Sequence, residues 1–202
     1  MSDLAGHAQA YAELAQTCGL TATHQVSTAF AGLAHELSNY PEQVTPAILR
    51  TVQQAIEFLA TLPKLGNLSQ AKDPSTAVVY TVDDDPDNCE CIRLAMETSN
   101  IRTLSVQDPA KAVIELASTP CDLIFLDVSM PGMDGFELCT LIRGMALHLN
   151  TPVVFLTGLT TAENRVQSNM SGGNDFIGKP FLLCELTLKA LMLMMKSQLH
   201  LA

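Results

Sequence analysis

Beyond residue 76 the chain alternates short apolar runs with stretches of helical periodicity, and this alternation limits the possible folds more than any other feature. The runs cover 77–82, 102–106, 122–126, 152–156 and a short 175–177. Helix starts fall between or after them, at Asp85-Pro86, Asp108-Pro109, Asp134, near Thr161 and after Phe181. An aspartate before proline supplies an N-cap and places proline at the first helical position, where its missing N–H costs nothing. Apolar runs without alternation suit strands buried on both faces, and strands that alternate with helices make a parallel sheet. The expected class is α/β, with five strands in a doubly wound parallel sheet. In such sheets chemistry is found outside the carboxyl ends of the strands.

Those ends carry Asp83, Asp84 and Asp85 after the first strand, Asp127 after the third, Thr157-Gly158 after the fourth and Lys179-Pro180 after the fifth. Carboxylates gathered in one place repel one another and need a cation; oxygen-only ligands suit a hard ion such as Mg²⁺. A lysine facing them can neutralise a phosphoryl group. Each residue alone also fits an ordinary reading: a capping acidic turn, a strand-end hydroxyl, a solvated lysine. Asp85 is better read as the cap of the helix opened by Pro86 than as a ligand.

The segments "VVYTVDDDPDN" at 78–88, "LIFLDVSMPGMDG" at 123–135, "TPVVFLTG" at 151–158 and "GGNDFIGKPF" at 172–181 follow one another over about 120 residues. In this order they resemble the receiver domain of bacterial two-component response regulators, a flavodoxin-like fold. The resemblance implies that Asp127 is the phosphoacceptor. It implies Mg²⁺ held by Asp83, Asp84, Asp127 and the backbone carbonyl of Ser129, with no other cofactor. It gives Lys179 the role of balancing phosphoryl charge, and makes Thr157 and Phe176 the switch pair. Lys179-Pro180 resembles the family's lysine followed by a cis proline, and Gly132 and Gly135 fit the turn beyond the acceptor. The donor would be a sensor histidine kinase or a phosphotransfer protein. The chain would then be a phosphorylation-controlled switch, assisting its own phosphorylation and dephosphorylation rather than acting as an enzyme on a separate substrate.

Residues 1–62 read as a small all-helical domain. Apolar residues recur at helical spacing at Leu4, Ala8, Tyr11 and Ala15, at Val26, Phe30, Leu33 and Leu37, and at Ile48, Val52, Ala55, Ile56 and Leu59. Gly19, then Asn39-Tyr40-Pro41, then Thr45-Pro46 punctuate the three helices. Residues 63–75 lose periodicity and read as a linker, leaving 76–198 for the receiver. The segment "LAHELSN" at 33–39 resembles the phosphoacceptor box of sensor histidine kinases. At 100° per residue His35 lies opposite the Val26, Phe30, Leu33 and Leu37 stripe, on an exposed face that His24 shares. A phosphorelay using His35 as a second acceptor is therefore an alternative reading. Against it, the helix breaks soon after His35 and nothing in the chain resembles an ATP-binding domain.

The terminal helix, near 182–199, has one apolar stripe through Leu183, Leu186, Ala190, Leu191 and Met194, and further apolar residues off it at Leu188, Met192, Leu193 and Met195. A helix apolar on most of its circumference is buried on more than one side. Met192 and Met195 are expected to lose solvent against the N-terminal helices or in a homodimer.

A net charge of −10, with 11 Lys and Arg and no basic cluster, argues for a downstream protein partner rather than nucleic acid. No window is apolar enough for a membrane span, and the start lacks the pattern of a secretory signal, so a cytoplasmic location is expected. The six cysteines lack zinc-site spacing and are expected to be reduced.

Overall fold

A computed structural model describes residues 1–158 and 170–201; the helix expected near Thr161 lies outside them. Contacts divide the chain into two compact units, Met1–Pro74 with the chain from Leu182 onward, and Ser75–Phe181.

The helical unit is built from α1 (Ser2–Thr17), α2 (Thr21–Asn39), α3 (Pro46–Thr61) and the helix Leu183–Gln198, which is α7 in chain order. Ala8, Ala12 and Ala15 form the buried face of α1, small enough to let α2 approach closely. Gly19 ends α1 at φ +72°, a conformation that glycine adopts without strain. Thr45 caps α3 by accepting from the Ile48 amide at 3.2 Å. Two expectations shift. His24 is not simply solvated, because its Nδ1–H donates to the Ala12 carbonyl at 3.0 Å and ties α2 to α1. Ile56 is 42% exposed, whereas Thr51 and Phe58 are buried, so the buried arc of α3 is turned toward the side that meets α7.

The sequence assigned residues up to 198 to the second domain; by contact, α7 belongs with α1–α3. Its polar residues explain why. Cys184 Sγ donates to Glu36 on α2 at 2.7 Å, and Thr51 on α3 donates to Glu185 at 2.7 Å. Lys189 donates to Gln54 at 3.2 Å, and the Lys196 ammonium lies 5.6 Å from the centre of the Phe58 ring. Three short helices bury too little apolar surface to stand alone, and a fourth supplies the missing layer. Met192 and Met195 are each 2% exposed, as the off-stripe apolar residues of this helix required. The expected linker is three short 3₁₀ turns, 62–64, 68–70 and 74–76.

The sheet unit contains β1 (Val78–Val82), α4 (Pro86–Glu97), β2 (Arg102–Val106), α5 (Pro109–Leu116), β3 (Leu123–Asp127), α6 (Gly135–Arg143), β4 (Val153–Thr157) and β5 (Asp175–Gly178). The strands are all parallel, in the order β2-β1-β3-β4-β5. β3 and β4 are buried throughout, and the edge strands β2 and β5 only in part, which accounts for the weaker apolar signal at 175–177. Asp85, Asp108 and Asp134 cap α4, α5 and α6 with their side chains, as their position before each helix predicted. Ile124, Leu126, Val153, Phe155 and Ile142 form the centre of the core, where the Phe136 and Phe155 rings pack with centroids 4.8 Å apart.

Arg143, at the end of α6, donates to the carbonyls of Gly172, His148 and Thr151 and to Asn174 Oδ1. That one guanidinium fixes the segments entering β4 and β5. No described helix is long and apolar enough to cross a membrane.

Candidate functional site

The register of the sheet brings the last residues of β1, β3 and β4 to one edge, since Val82 pairs with Leu126 and Asp127 with Leu156. Asp83 follows β1 directly and is fully buried; Asp127 ends β3 at 4% exposure; Thr157 ends β4 and is buried. Lys179 follows β5, held there by its own amide, which donates to the Thr157 carbonyl at 2.7 Å. The Lys179–Pro180 bond is cis, as the sequence led us to expect.

Lys179 Nζ donates to Asp83 Oδ2 at 2.8 Å and to Asp127 Oδ1 at 2.9 Å. It therefore bridges two strand ends that lie 44 positions apart in the sequence. Partial burial pulls the lysine pKa down, but the hydrogen bonds and charges of Asp83 and Asp127 outweigh this and hold it above its ordinary value. Asp84 is exposed, and its carboxylate lies with those of Asp83 and Asp127 so that one oxygen from each falls within 4.8 Å of the others. Three carboxylate oxygens at one rim, with solvent on one side, fit a hard divalent cation that keeps part of its water shell. The strand ends thus bring this acidic group, Lys179 and Thr157 to one edge of the sheet.

The remaining expected residues, His35 apart, are close in sequence to this group. Ser129 is exposed, two residues beyond Asp127. Phe176 is partly buried on β5 and packs against the sheet core. Asp85 is the cap of α4, its side chain accepting from the Asp87 amide at 2.9 Å. Gly132 has φ +84°, in line with the turn expected of it. Gly135 is needed for another reason: it meets the Asp127 backbone so closely that a Cβ there would overlap the carbonyl oxygen. His35 is exposed near the end of α2, and its Nε2 lies 3.0 Å from the Asn39 amide nitrogen.

Sequence reasoning missed Asn88. Its Nδ2 donates to Asp83 Oδ1 at 3.1 Å, beside the Asp85 amide at 3.0 Å. The available signal was position: an amide side chain on the first turn of a helix that starts directly after the acidic pair.

Residues 79–191 match the family described as the response regulator receiver domain. A curated relative, the DNA-binding response regulator MtrA of Mycolicibacterium smegmatis, is 30% identical over 51% of this chain and 44% of its own length. The chain spans about half the length of the curated relatives it matches. Among solved structures, the chemotaxis protein CheY4 of Vibrio cholerae is 28% identical, with a TM-score of 0.54 over 57% of this chain and 95% of that one. The receiver domain of the sensor histidine kinase PA1611 from Pseudomonas aeruginosa, with a magnesium ion coordinated in its active-site cleft, is 26% identical. Its TM-score is 0.53, over 56% of this chain and 93% of that one.

Proposed function

Because the chain belongs to the response regulator receiver family, we propose that it is a two-component switch that accepts a phosphoryl group on Asp127. The observation that carries this reading is the Lys179 ammonium bridging Asp83 and Asp127 at 2.8 and 2.9 Å, beside the Asp84 carboxylate. An Asp127 oxygen attacks phosphorus; the new O–P bond forms as the P–N bond of a phosphohistidine donor breaks, and the electron pair leaves on the imidazole nitrogen, which takes a proton. Asp83, Asp84, Asp127 and the Ser129 carbonyl would hold Mg²⁺, which when bound offsets charge on the transferring oxygens. The magnesium ion in the PA1611 receiver domain supports that ligand chemistry.

In this reading Lys179 offsets the phosphoryl charge from the protein side. Catalysis is positioning and electrostatics, and the chain is a stoichiometric acceptor rather than an enzyme with a separate substrate. Phosphorylation adds about −1.5 to −2 charges at pH 7, to which the Thr157 hydroxyl and the Phe176 ring respond as the switch pair. The donor is a histidine kinase or phosphotransfer protein, and output passes to a protein partner. The relative MtrA is a DNA-binding response regulator, whereas a net charge of −10 opposes nucleic-acid binding here.

Incubation with Mg²⁺ and a small phosphodonor should add one phosphoryl group by intact mass, and Asp127→Asn should abolish it. Unchanged labelling of that variant would sink the assignment. A label that survives base, is lost in acid and disappears in His35→Ala would move the acceptor to His35, whose exposure on α2 leaves it reachable.

A further inference from the structure

The first turn of α4 closes on Asp83 with three donors: the Asp85 amide and Asn88 Nδ2 on Oδ1, and the Cys89 thiol on the Asp83 carbonyl at 3.4 Å. Oδ2 is left to Lys179. A carboxylate can only accept, so the Asn88 amide must present its NH₂ group to Oδ1. With Asp83 fully buried, the plane of its carboxylate is set by these contacts rather than by water.

From this arrangement we propose that Asn88 is a positioning residue for the acceptor site: it fixes the rotation of the Asp83 carboxylate, with Oδ1 held by α4 and Oδ2 turned to Lys179. The inference rests on the reading of Asp127 as the acceptor and of Asp83 as a cation ligand. Groups that orient a ligand through its far oxygen typically change metal affinity or activity by about 10–100-fold when removed. The Asp85 amide remains as a second donor to Oδ1, so the loss at Asn88 falls below that range, about threefold to tenfold. The competing reading is that Asn88 merely ties down the start of α4, in which case its removal loosens the helix without changing how Asp83 meets a cation.

The two differ in a Mg²⁺ titration of the full chain followed by backbone amide shifts, with no phosphodonor present, set beside the Mg²⁺ dependence of phosphorylation. Asn88→Ala should raise the titration midpoint about threefold to tenfold and raise the Mg²⁺ needed for half-maximal labelling to match. The labelling rate at saturating Mg²⁺ should stay close to that of the unmodified protein. Asn88→Ser, which keeps a donor on a shorter arm, is measured alongside in case the alanine variant does not fold, and should show a smaller shift of the same sign. An unchanged midpoint, or a slow rate that saturating Mg²⁺ does not restore, would overturn the role of Asn88. Absence of Mg²⁺-dependent labelling in the unmodified protein would instead overturn the acceptor reading itself.

Discussion

A Cβ on Gly135 would overlap the backbone carbonyl oxygen of Asp127. The start of α6 is thus pressed against the main chain of the proposed acceptor, and the Gly135 amide donates to the Val128 carbonyl at 3.0 Å. Gly135→Ala must push backbone against backbone, so it should cost about 1–3 kcal/mol in denaturant unfolding and slow labelling of Asp127. Gly32 on α2 has open space around its Cβ position. Gly32→Ala should therefore stabilise by roughly 0.5–1 kcal/mol, and equal effects at the two positions would refute the close-approach argument.

The ion pairs of Lys179 give stability a pH signature. Its folded pKa is raised above the unfolded value, so the contribution is fully present below the unfolded lysine pKa and is lost as pH rises through the folded one. Lys179→Met should lower unfolding free energy at neutral pH by about 1–3 kcal/mol, less than for a fully buried pair because the lysine side chain is 21% exposed. The gap between variant and parent should hold steady from pH 7 to about 9.5 and narrow above about 10.5. A gap that widens in alkali would contradict the pairing.

Thr51→Val tests the attachment of α7 within the helical unit. It removes the hydroxyl that donates to the buried Glu185 carboxylate at 2.7 Å while keeping nearly the same volume. The expected loss is about 1.5–3 kcal/mol, the range for hydrogen bonds to charged groups. Amide exchange should quicken in α3 and in α7. If it quickens in only one of them, the bond is not what couples the two helices.

The cysteines should react in a fixed order with iodoacetamide at pH 8, read by peptide mass. Burial, reinforced by the Asp83 charge, pushes the Cys89 thiol up to about 11, and burial with the Asp122 charge takes Cys121 to about 12. Burial and the Glu36 carboxylate also raise the Cys184 pKa. All three are protonated at pH 8 and should label slowly, whereas Cys18 is exposed and should label first. Early labelling of Cys184 would mean that its bond to Glu36 does not persist in solution.

The parallel sheet was legible because local signals agreed: apolar runs without alternation, aspartates before helices, and acidic or basic residues at each run's end. Asp83, Asp127, Thr157 and Lys179 could be placed at one edge because a parallel sheet leaves few alternatives. Two features were not legible. The Asn88 contact depends on side-chain reach across the first turn of a helix, which spacing alone does not reveal. The apolar circumference of α7 did point to the N-terminal helices, but its particular partners Glu36, Thr51, Gln54 and Phe58 carry no pattern that names a contact more than 130 residues away.

The membership of α7 in the helical unit reorders the life of the chain on the ribosome. Domains generally form as units in the order in which they are synthesised, but α1–α3 precede the sheet in the chain and their fourth helix follows it. The sheet unit, Ser75–Phe181, is thus complete in sequence before the helical unit has all its parts. Until Leu183–Gln198 is made, α2 and α3 lack the helix that packs on them, so the helical unit has to wait for a segment encoded on the far side of the sheet.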